Sequence, residues 1–172
     1  TDFANEAKAR GVLLKPADGD WVKPGRDYAE THHSPLTQID QSNVSRLAPA
    51  WSVEVGSQGK IETTPIVANG VLYGTSTYSV VYAVDAKTGA LKWYYQFTPH
   101  DIHDWDAQET PVLIDSNWRG QPRKLLIQAN RNGFFYVLDR TNGEFLLGKQ
   151  FLKKLNWADG IDAKGKPIMK EL

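Results

Sequence analysis

The chain has 172 residues and equal numbers of basic and acidic side chains, 20 of each, which argues against nucleic-acid binding through bulk positive charge. It contains no cysteine, which excludes a disulfide framework and any cysteine-based zinc or iron–sulfur site. No apolar run is long enough for a transmembrane helix, and nothing near Thr1 resembles a leader, so we expect any signal peptide to have been removed.

Residues 1–50 are interpreted as an irregular N-terminal segment. Within it, residues 2–14 are compatible with a short helix and residues 40–47 with a single helical turn. Residues 51–55 then alternate apolar and polar side chains, which is typical of a half-buried strand. Many aromatic residues, with glycine and proline spread between short apolar runs, favour an all-β fold for the remainder.

The region 51–97 is predicted to contain one four-stranded antiparallel meander. Asn69-Gly70 is a strong two-residue hairpin signal between two apolar runs, and residues 85–89 form a polar turn before the last strand. The predicted strands cover residues 65–68, 71–75, 80–84 and 90–96. Strands this short, joined by tight turns, predict one compact antiparallel sheet.

The region 98–172 repeats this pattern. Residues 82–91 align position by position with residues 136–145, each containing a Tyr, an Asp and a turn glycine at matching places. The polar stretch 117–122 is expected to absorb a local insertion. The repeated strands are predicted at residues 110–115, 124–128, 133–138 and 144–147. Self-similarity of this length with four strands per unit predicts β-propeller blades.

We therefore expect an all-β chain that forms a partial β-propeller of about two four-stranded antiparallel blades. Two blades cannot close a ring, because known propellers have four to eight. The chain is accordingly interpreted as part of a larger propeller. Open blade edges would also allow self-association between copies.

Longer motifs indicate a family. Residues 25–51 and 96–106, the latter reading Gln-Phe-Thr-Pro-His-Asp-Ile-His-Asp-Trp-Asp, resemble pyrroloquinoline-quinone (PQQ)-dependent alcohol and methanol dehydrogenases, as do residues 129–140 and 156–162. The resemblance implies a periplasmic quinoprotein with an eight-bladed propeller. It also suggests a truncated or internally deleted member, because the early-blade motif ending at Trp93 runs directly into the motif of the active-site loop.

The resemblance further implies oxidation of a small alcohol, with PQQ over a Ca²⁺ or lanthanide ion as cofactors and a cytochrome c as electron acceptor. The family motif assigns Asp104 as the catalytic base and metal ligand. It assigns Asp106 as an additional metal ligand, and it assigns Glu62 and Arg131 to cofactor binding. If the loop is extended, carboxylates two residues apart face the same side and can share one ion.

Structural explanations remain open for each of these residues. Asp104 and Asp106 could be solvated loop acids, Arg131 a turn residue and Glu62 an exposed acid at the start of a strand. His100 and His103 are interpreted as structural. The alternative functions are a non-catalytic propeller scaffold or binding module and, more weakly, a lectin-like β protein. The family's other metal ligands and its cysteine pair are missing, so we expect the chain to be inactive alone.

Overall fold

The computed structural model describes residues 16–56 and 59–170, and ten β-strands form its regular structure. One 3₁₀ turn, Val44–Arg46, confirms the helical turn predicted within residues 40–47. The helix predicted at residues 2–14 lies outside the described residues. The strands are β1 (Ile66–Ala68), β2 (Val71–Ser76), β3 (Val80–Asp85), β4 (Leu91–Gln96), β5 (Val112–Trp118), β6 (Gln121–Ala129), β7 (Phe134–Asp139), β8 (Phe145–Gln150), β9 (Ala158–Ile161) and β10 (Pro167–Met169).

Two four-stranded antiparallel sheets confirm the predicted repeat. Sheet A has the order β1-β2-β3-β4 and sheet B the order β5-β6-β7-β8, so each is a simple meander. The β1–β2 turn has φ of 53° at Asn69 and 72° at Gly70, the conformation that an Asn-Gly hairpin turn requires. Both sheets also carry a register shift at matching places, in β3 between Ala83 and Val84 and in β7 between Val137 and Leu138.

The strand predicted at residues 51–55 is wrong. No strand is formed there, because none of the described segments supplies a backbone ladder for it. The free edge of β1 is instead paired with Trp21, through two hydrogen bonds of 2.8 and 2.7 Å with Val67. Residues 53–56 lie over the outer face of sheet A, where they and the side chains of Tyr82 and Tyr94 line an apolar cavity of about 340 Å³.

The polar insertion at residues 117–122 lengthens a hairpin instead of forming a loop. β5 and β6 remain paired up to Trp118 and Gln121, with only Arg119 and Gly120 between them at positive φ. A small hairpin of β9 and β10, which the sequence patterns did not predict, packs beside β8. It is attached to sheet A as well, because the Tyr95 hydroxyl donates a 2.6 Å hydrogen bond to the Gly165 carbonyl.

A tryptophan joins sheet A to sheet B. The indole N–H of Trp93 donates a 2.9 Å hydrogen bond to the Arg140 carbonyl, and its ring lies against Gly143. A Cβ atom at Gly143 would come within 2.8 Å of the ring, and φ there is +78°, so both space and backbone conformation require glycine. Sheet A receives a tryptophan in the same way.

Trp51 makes the equivalent contact with the turn of sheet A. Its indole N–H donates to the Ala86 carbonyl at 3.2 Å, and its ring lies against Gly89, which has φ of +74°. Ala86 and Gly89 occupy the same places in their turn as Arg140 and Gly143 do in theirs. The docking of a tryptophan on the following turn is therefore part of the repeat.

The core lies between the two sheets and is rich in aromatic side chains. Phe97, Phe134 and Tyr136 are almost fully buried, and the rings of Phe97 and Tyr136 have centroids 4.6 Å apart. Burial raises the pKa of Tyr136 far above its ordinary value, so its hydroxyl stays protonated and its proton remains available for hydrogen bonding. This core fixes the ends of the strands and therefore the loops that leave them.

Candidate active-site loop

The loop of residues 98–111 connects sheet A to sheet B. It leaves the same end of the sheets as the β2–β3 turn at residues 77–79 and the β6–β7 turn at residues 130–133. Asp101 fixes its shape, because its two carboxylate oxygens accept hydrogen bonds from the backbone N–H groups of His103, at 2.9 Å, and Trp105, at 2.8 Å. The loop therefore curls around the Asp101 carboxylate.

Asp104 lies at the crest of this curl. Its φ is +60°, a left-handed conformation that Asp tolerates better than most residues and that is common at functional sites. The side chain is exposed. The expectation of an extended loop is therefore wrong at this residue, because the bonds to Asp101 turn the chain here. The two predicted carboxylates nevertheless line the same cavity.

Asp106 is attached to sheet A. Its Oδ1 atom accepts a 3.1 Å hydrogen bond from the backbone N–H of Tyr78, in the β2–β3 turn. That turn is itself held by the side-chain amide of Gln96, which donates to the Tyr78 carbonyl at 3.0 Å. Asp106 therefore has a structural role, and its assignment as a metal ligand remains a prediction.

Asp101, Asp104 and Asp106 line a single open cavity of about 490 Å³. Lys60, Tyr78 and Ile102 complete most of its wall. Three carboxylates against one lysine give the cavity an acidic lining, which attracts cations and repels anions. The structure thus brings together the predicted Asp104 and Asp106.

A buried polar network supports the loop from below. The side-chain amide of Asn132 donates to the hydroxyls of Thr98 and Tyr136, both at 2.9 Å, and Asn132 is 1% exposed. The Tyr136 hydroxyl in turn donates to the Phe97 carbonyl at 3.2 Å. Both residues where the chain enters the loop are therefore fixed to sheet B.

The far side of the loop is held by stacked rings. His103 stacks on Trp105 with centroids 4.4 Å apart, and Trp105 packs on Trp157 at 4.1 Å. Trp157 donates its indole N–H to the carbonyl of Asn132 at 3.2 Å. These contacts agree with the interpretation of His103 as a structural residue.

Glu62 and Arg131 do not line the cavity. Glu62 is exposed in the segment before β1, and Arg131 is exposed in the β6–β7 turn between the buried Asn130 and Asn132. Their assignment to cofactor binding remains a prediction.

The described residues supply an incomplete set of donors for a metal ion. Across residues 16–56 and 59–170, no group of three or more His, Asp or Glu side chains is arranged to hold one. Ca²⁺ and similar hard cations require six or more oxygen ligands, whereas Asp101 and Asp106 already accept backbone hydrogen bonds. The residues therefore do not fit a metal, or a quinone above it, without further ligands.

Two residues that shape this site were missed by sequence reasoning. Asp101 has a detectable signal, because an Asp followed by a turn often accepts the N–H two residues later. Asn132 has none, since its partners are Thr98 and Tyr136 and only the folded chain brings the first of these near. The described part of the chain also lacks any helix long and apolar enough to span a bilayer.

Comparison with known proteins identifies the family to which the chain belongs. The β-propeller domain model of PQQ-containing glucose/ethanol/alcohol dehydrogenases matches residues 21–93 and 79–149. The quinohemoprotein alcohol dehydrogenase of Comamonas testosteroni is 48% identical over 88 residues, which cover 51% of this chain and 12% of that protein. Its crystal structure superposes with a TM-score of 0.56 at 36% identity, covering 59% of this chain and 18% of the other.

Two further relatives agree. The dehydrogenase subunit of the quinone-dependent alcohol dehydrogenase of Komagataeibacter europaeus is 34% identical over 172 aligned residues, covering 94% of this chain and 23% of the subunit. A europium-containing methanol dehydrogenase superposes with a TM-score of 0.54 at 27% identity, covering 59% of this chain and 20% of that one. The chain therefore belongs to the PQQ-dependent dehydrogenase family and has its β-propeller architecture.

The chain spans less than a quarter of the length of these relatives and corresponds to a partial segment of their propeller. The alignment with the Komagataeibacter subunit has 172 positions, which leaves no room for an insertion of hundreds of residues. It gives no support to the expected internal deletion, which stays a prediction.

Proposed function

We propose that this chain carries the active-site loop of a PQQ-dependent alcohol dehydrogenase. The observation that supports the proposal is the shared cavity of Asp104 and Asp106, formed by the loop that carries the family motif. The substrate would be a small alcohol, PQQ would accept its electrons, and a cytochrome c in the periplasm would accept them next. Ligands from outside the described residues would complete a Ca²⁺ or lanthanide site.

In this proposal the loop residues have distinct tasks. Asp104 is exposed at the cavity and acts as the general base that takes the proton of the alcohol hydroxyl. Asp101 keeps Asp104 at the crest of the loop through its two backbone hydrogen bonds. Asp106 provides a metal-ligating carboxylate that the β2–β3 turn holds in place. Glu62 and Arg131 would contact the cofactor once the rest of the propeller surrounds it.

A loop exchange tests the proposal in a complete enzyme. Residues 96–106 of this chain would replace the corresponding loop in the quinohemoprotein alcohol dehydrogenase of Comamonas testosteroni. With PQQ and Ca²⁺ or a lanthanide added, the chimera should reduce a dye in response to alcohol. Asp104→Asn in the chimera should lower kcat by about 10²–10⁴-fold, because an amide cannot take the proton.

The control is the chimera that keeps Asp104, so that only this one acid-to-amide change differs between the two enzymes. Circular dichroism and PQQ absorbance of the chimera report folding and cofactor binding independently of turnover. A folded, PQQ-loaded chimera without alcohol-dependent activity would favour the scaffold alternative. Full activity in the Asp104→Asn chimera would remove Asp104 from the reaction.

A further inference from the structure

We propose that the cleft between the two sheets, at the end opposite the loop, binds a small oxyanion of the phosphate or sulfate class. The turns at residues 69–70, 85–90 and 139–144 lie at this end, whereas the cavity of Asp104 lies at the other. The site is therefore separate from the proposed active site and does not depend on its chemistry.

Three cations from separate parts of the fold line the cleft. Lys92 comes from β4 of sheet A, Lys124 from β6 of sheet B, and Arg140 from the turn after β7. The cleft has a volume of about 200 Å³, small enough to favour an ion over a larger organic molecule. Asn69, on the β1–β2 turn, adds an amide to the lining. The packing of the two sheets is what brings these donors together.

Arg140 supplies the observation that points to a ligand. Its side chain is 1% exposed, and its Nη1 atom contacts the Asp115 carboxylate at 2.5 Å and the Ile114 carbonyl at 3.2 Å. Its Nη2 atom is buried and makes no hydrogen bond of standard geometry with the described residues, although the Tyr73 hydroxyl in the wall of the cleft also interacts with the guanidinium. A buried cationic donor without a partner is unfavourable, and the oxygen of an anion would satisfy it.

One of the three cations that line the cleft has no carboxylate partner within residues 16–56 and 59–170 and is available to bind an anion. Lys92 lies 3.4 Å from Asp85, and Arg140 is paired with Asp115, so two carboxylates already balance two of the three cations. Lys124 makes no ion pair in the part of the chain that the structure describes. The cleft therefore keeps a net positive charge and several N–H donors. Donors of this kind recognise tetrahedral oxyanions and exclude metal ions.

Titration with inorganic phosphate tests the proposal. Thermal unfolding and calorimetry of the complete chain would be measured in phosphate, in sulfate and in chloride at equal ionic strength. Phosphate or sulfate should raise the melting temperature in a saturable way, because a ligand that binds only the folded state stabilises it. Chloride should have little effect. A phosphate monoester in a parallel titration distinguishes a free anion from a phosphate group on a larger molecule, and binding of either supports the site.

Lys124→Gln is the informative variant, because Lys124 is exposed and its loss leaves the buried Arg140 and its ion pair in place. The variant should bind phosphate about tenfold more weakly, as expected for the loss of one charged hydrogen bond. Lys149→Gln, an exposed lysine on β8, is the matched control and should bind like the unchanged chain. Equal affinity in the Lys124→Gln and Lys149→Gln variants, or equal stabilisation by chloride, would overturn the proposal.

Discussion

Gly143 allows the two sheets to pack together, because its lack of a Cβ leaves room for the Trp93 ring. Its φ is +78° and the ring of Trp93 occupies the space where a Cβ would project. Gly143→Ala should lower the free energy of unfolding by about 3 kcal/mol, the sum of a left-handed alanine and an overpacked contact. Denaturant unfolding of the purified chain measures this directly.

Gly120→Ala is the matched control for the backbone effect. Gly120 also has a positive φ, +86°, but no atom lies within 4 Å of the position of its Cβ. The change should therefore cost only about 1 kcal/mol. Equal losses at the two glycines would show that the contact with Trp93 does not contribute to stability.

Asn132 is a second residue whose contacts stabilise the chain and the start of the loop. Asn132→Ala would leave the buried hydroxyls of Thr98 and Tyr136 without their donor, so we expect a loss of about 3 kcal/mol. Asn117→Ala, at an exposed position in β5, should change stability by less than about 0.5 kcal/mol. Tryptophan emission, compared with that of a Trp105→Phe chain to isolate the contribution of Trp105, would report whether the loop moves. An unchanged spectrum together with unchanged stability would contradict the role assigned to Asn132.

At the residue scale, the sequence could predict part of the candidate site. The family motif and the two-residue spacing predicted that Asp104 and Asp106 would lie near each other, and both line one cavity. The spacing argument assumed an extended backbone, and the bonds to Asp101 produce a different one. Contacts such as that of Asp106 with Tyr78 join residues far apart in the chain, and local patterns contain no information about them.

The turns between strands are the elements whose stability should depend on pH. Burial would raise the pKa of Asp139, but hydrogen bonds from Thr141 and the guanidinium of Arg123 outweigh it and hold that pKa below 3.8. Hydrogen bonds from Thr88 likewise lower the pKa of Asp85. A lowered pKa means that the folded state prefers the ionised carboxylate. The turns are therefore fully stabilised above about pH 4 and lose stability as the pH falls below it.

Melting temperatures between pH 6 and pH 2 would measure this dependence. Asp139→Asn should flatten the acid part of the profile, because asparagine has no proton to gain. Asp18→Asn, at an exposed turn, should keep the slope of the unchanged chain. An acid profile that is the same in the Asp139→Asn variant would exclude this turn as a source of acid sensitivity.

Strands were predictable where the repeat and the turn residues agreed. All eight strands of the two sheets lie where the apolar runs and turns placed them, with boundaries shifted by a few residues. The strand predicted at residues 51–55 was wrong because alternation shows that a segment can form a strand but not whether another strand will pair with it. The β9–β10 hairpin was missed for a related reason. Its strands have only four and three residues, too few to show a clear alternation.

At the scale of the whole molecule, the incomplete set of metal ligands predicts that the chain is inactive by itself. The chain alone should neither bind PQQ tightly nor oxidise alcohols, because its three loop carboxylates cannot coordinate a hard cation fully. Reconstitution with PQQ and Ca²⁺ or a lanthanide, followed by a dye-reduction assay and by PQQ absorbance after gel filtration, is the measurement. Robust turnover would contradict this expectation and show that the site is completed in another way, for which ligands from a second copy are one route.

The outer face of sheet A carries an exposed apolar patch, from which we predict self-association. Leu91 is 58% exposed and Tyr94 is 66% exposed, beside the apolar cavity that residues 53–56 only partly cover. Clustered apolar side chains of this kind promote association. The sedimentation coefficient should rise with concentration, and Tyr94→Ser should reduce that rise, whereas Ile168→Ser on β10 should not. A monomer at every concentration would contradict this prediction.

From the docked tryptophans we also expect an order of folding. During synthesis, Trp93 is made fifty residues before Gly143, so its indole N–H can bond only to water, and not to the Arg140 carbonyl, until the second turn has emerged and folded. Sheet A therefore remains unfinished on one face while sheet B is being translated, in contrast to a domain that closes as soon as its own residues are available. In sheet B the corresponding strand position is Leu147, whose side chain has no N–H group to donate to a further turn. Each docked tryptophan thus precedes in the chain the turn that it contacts, and Leu147 does not continue this series of contacts beyond sheet B.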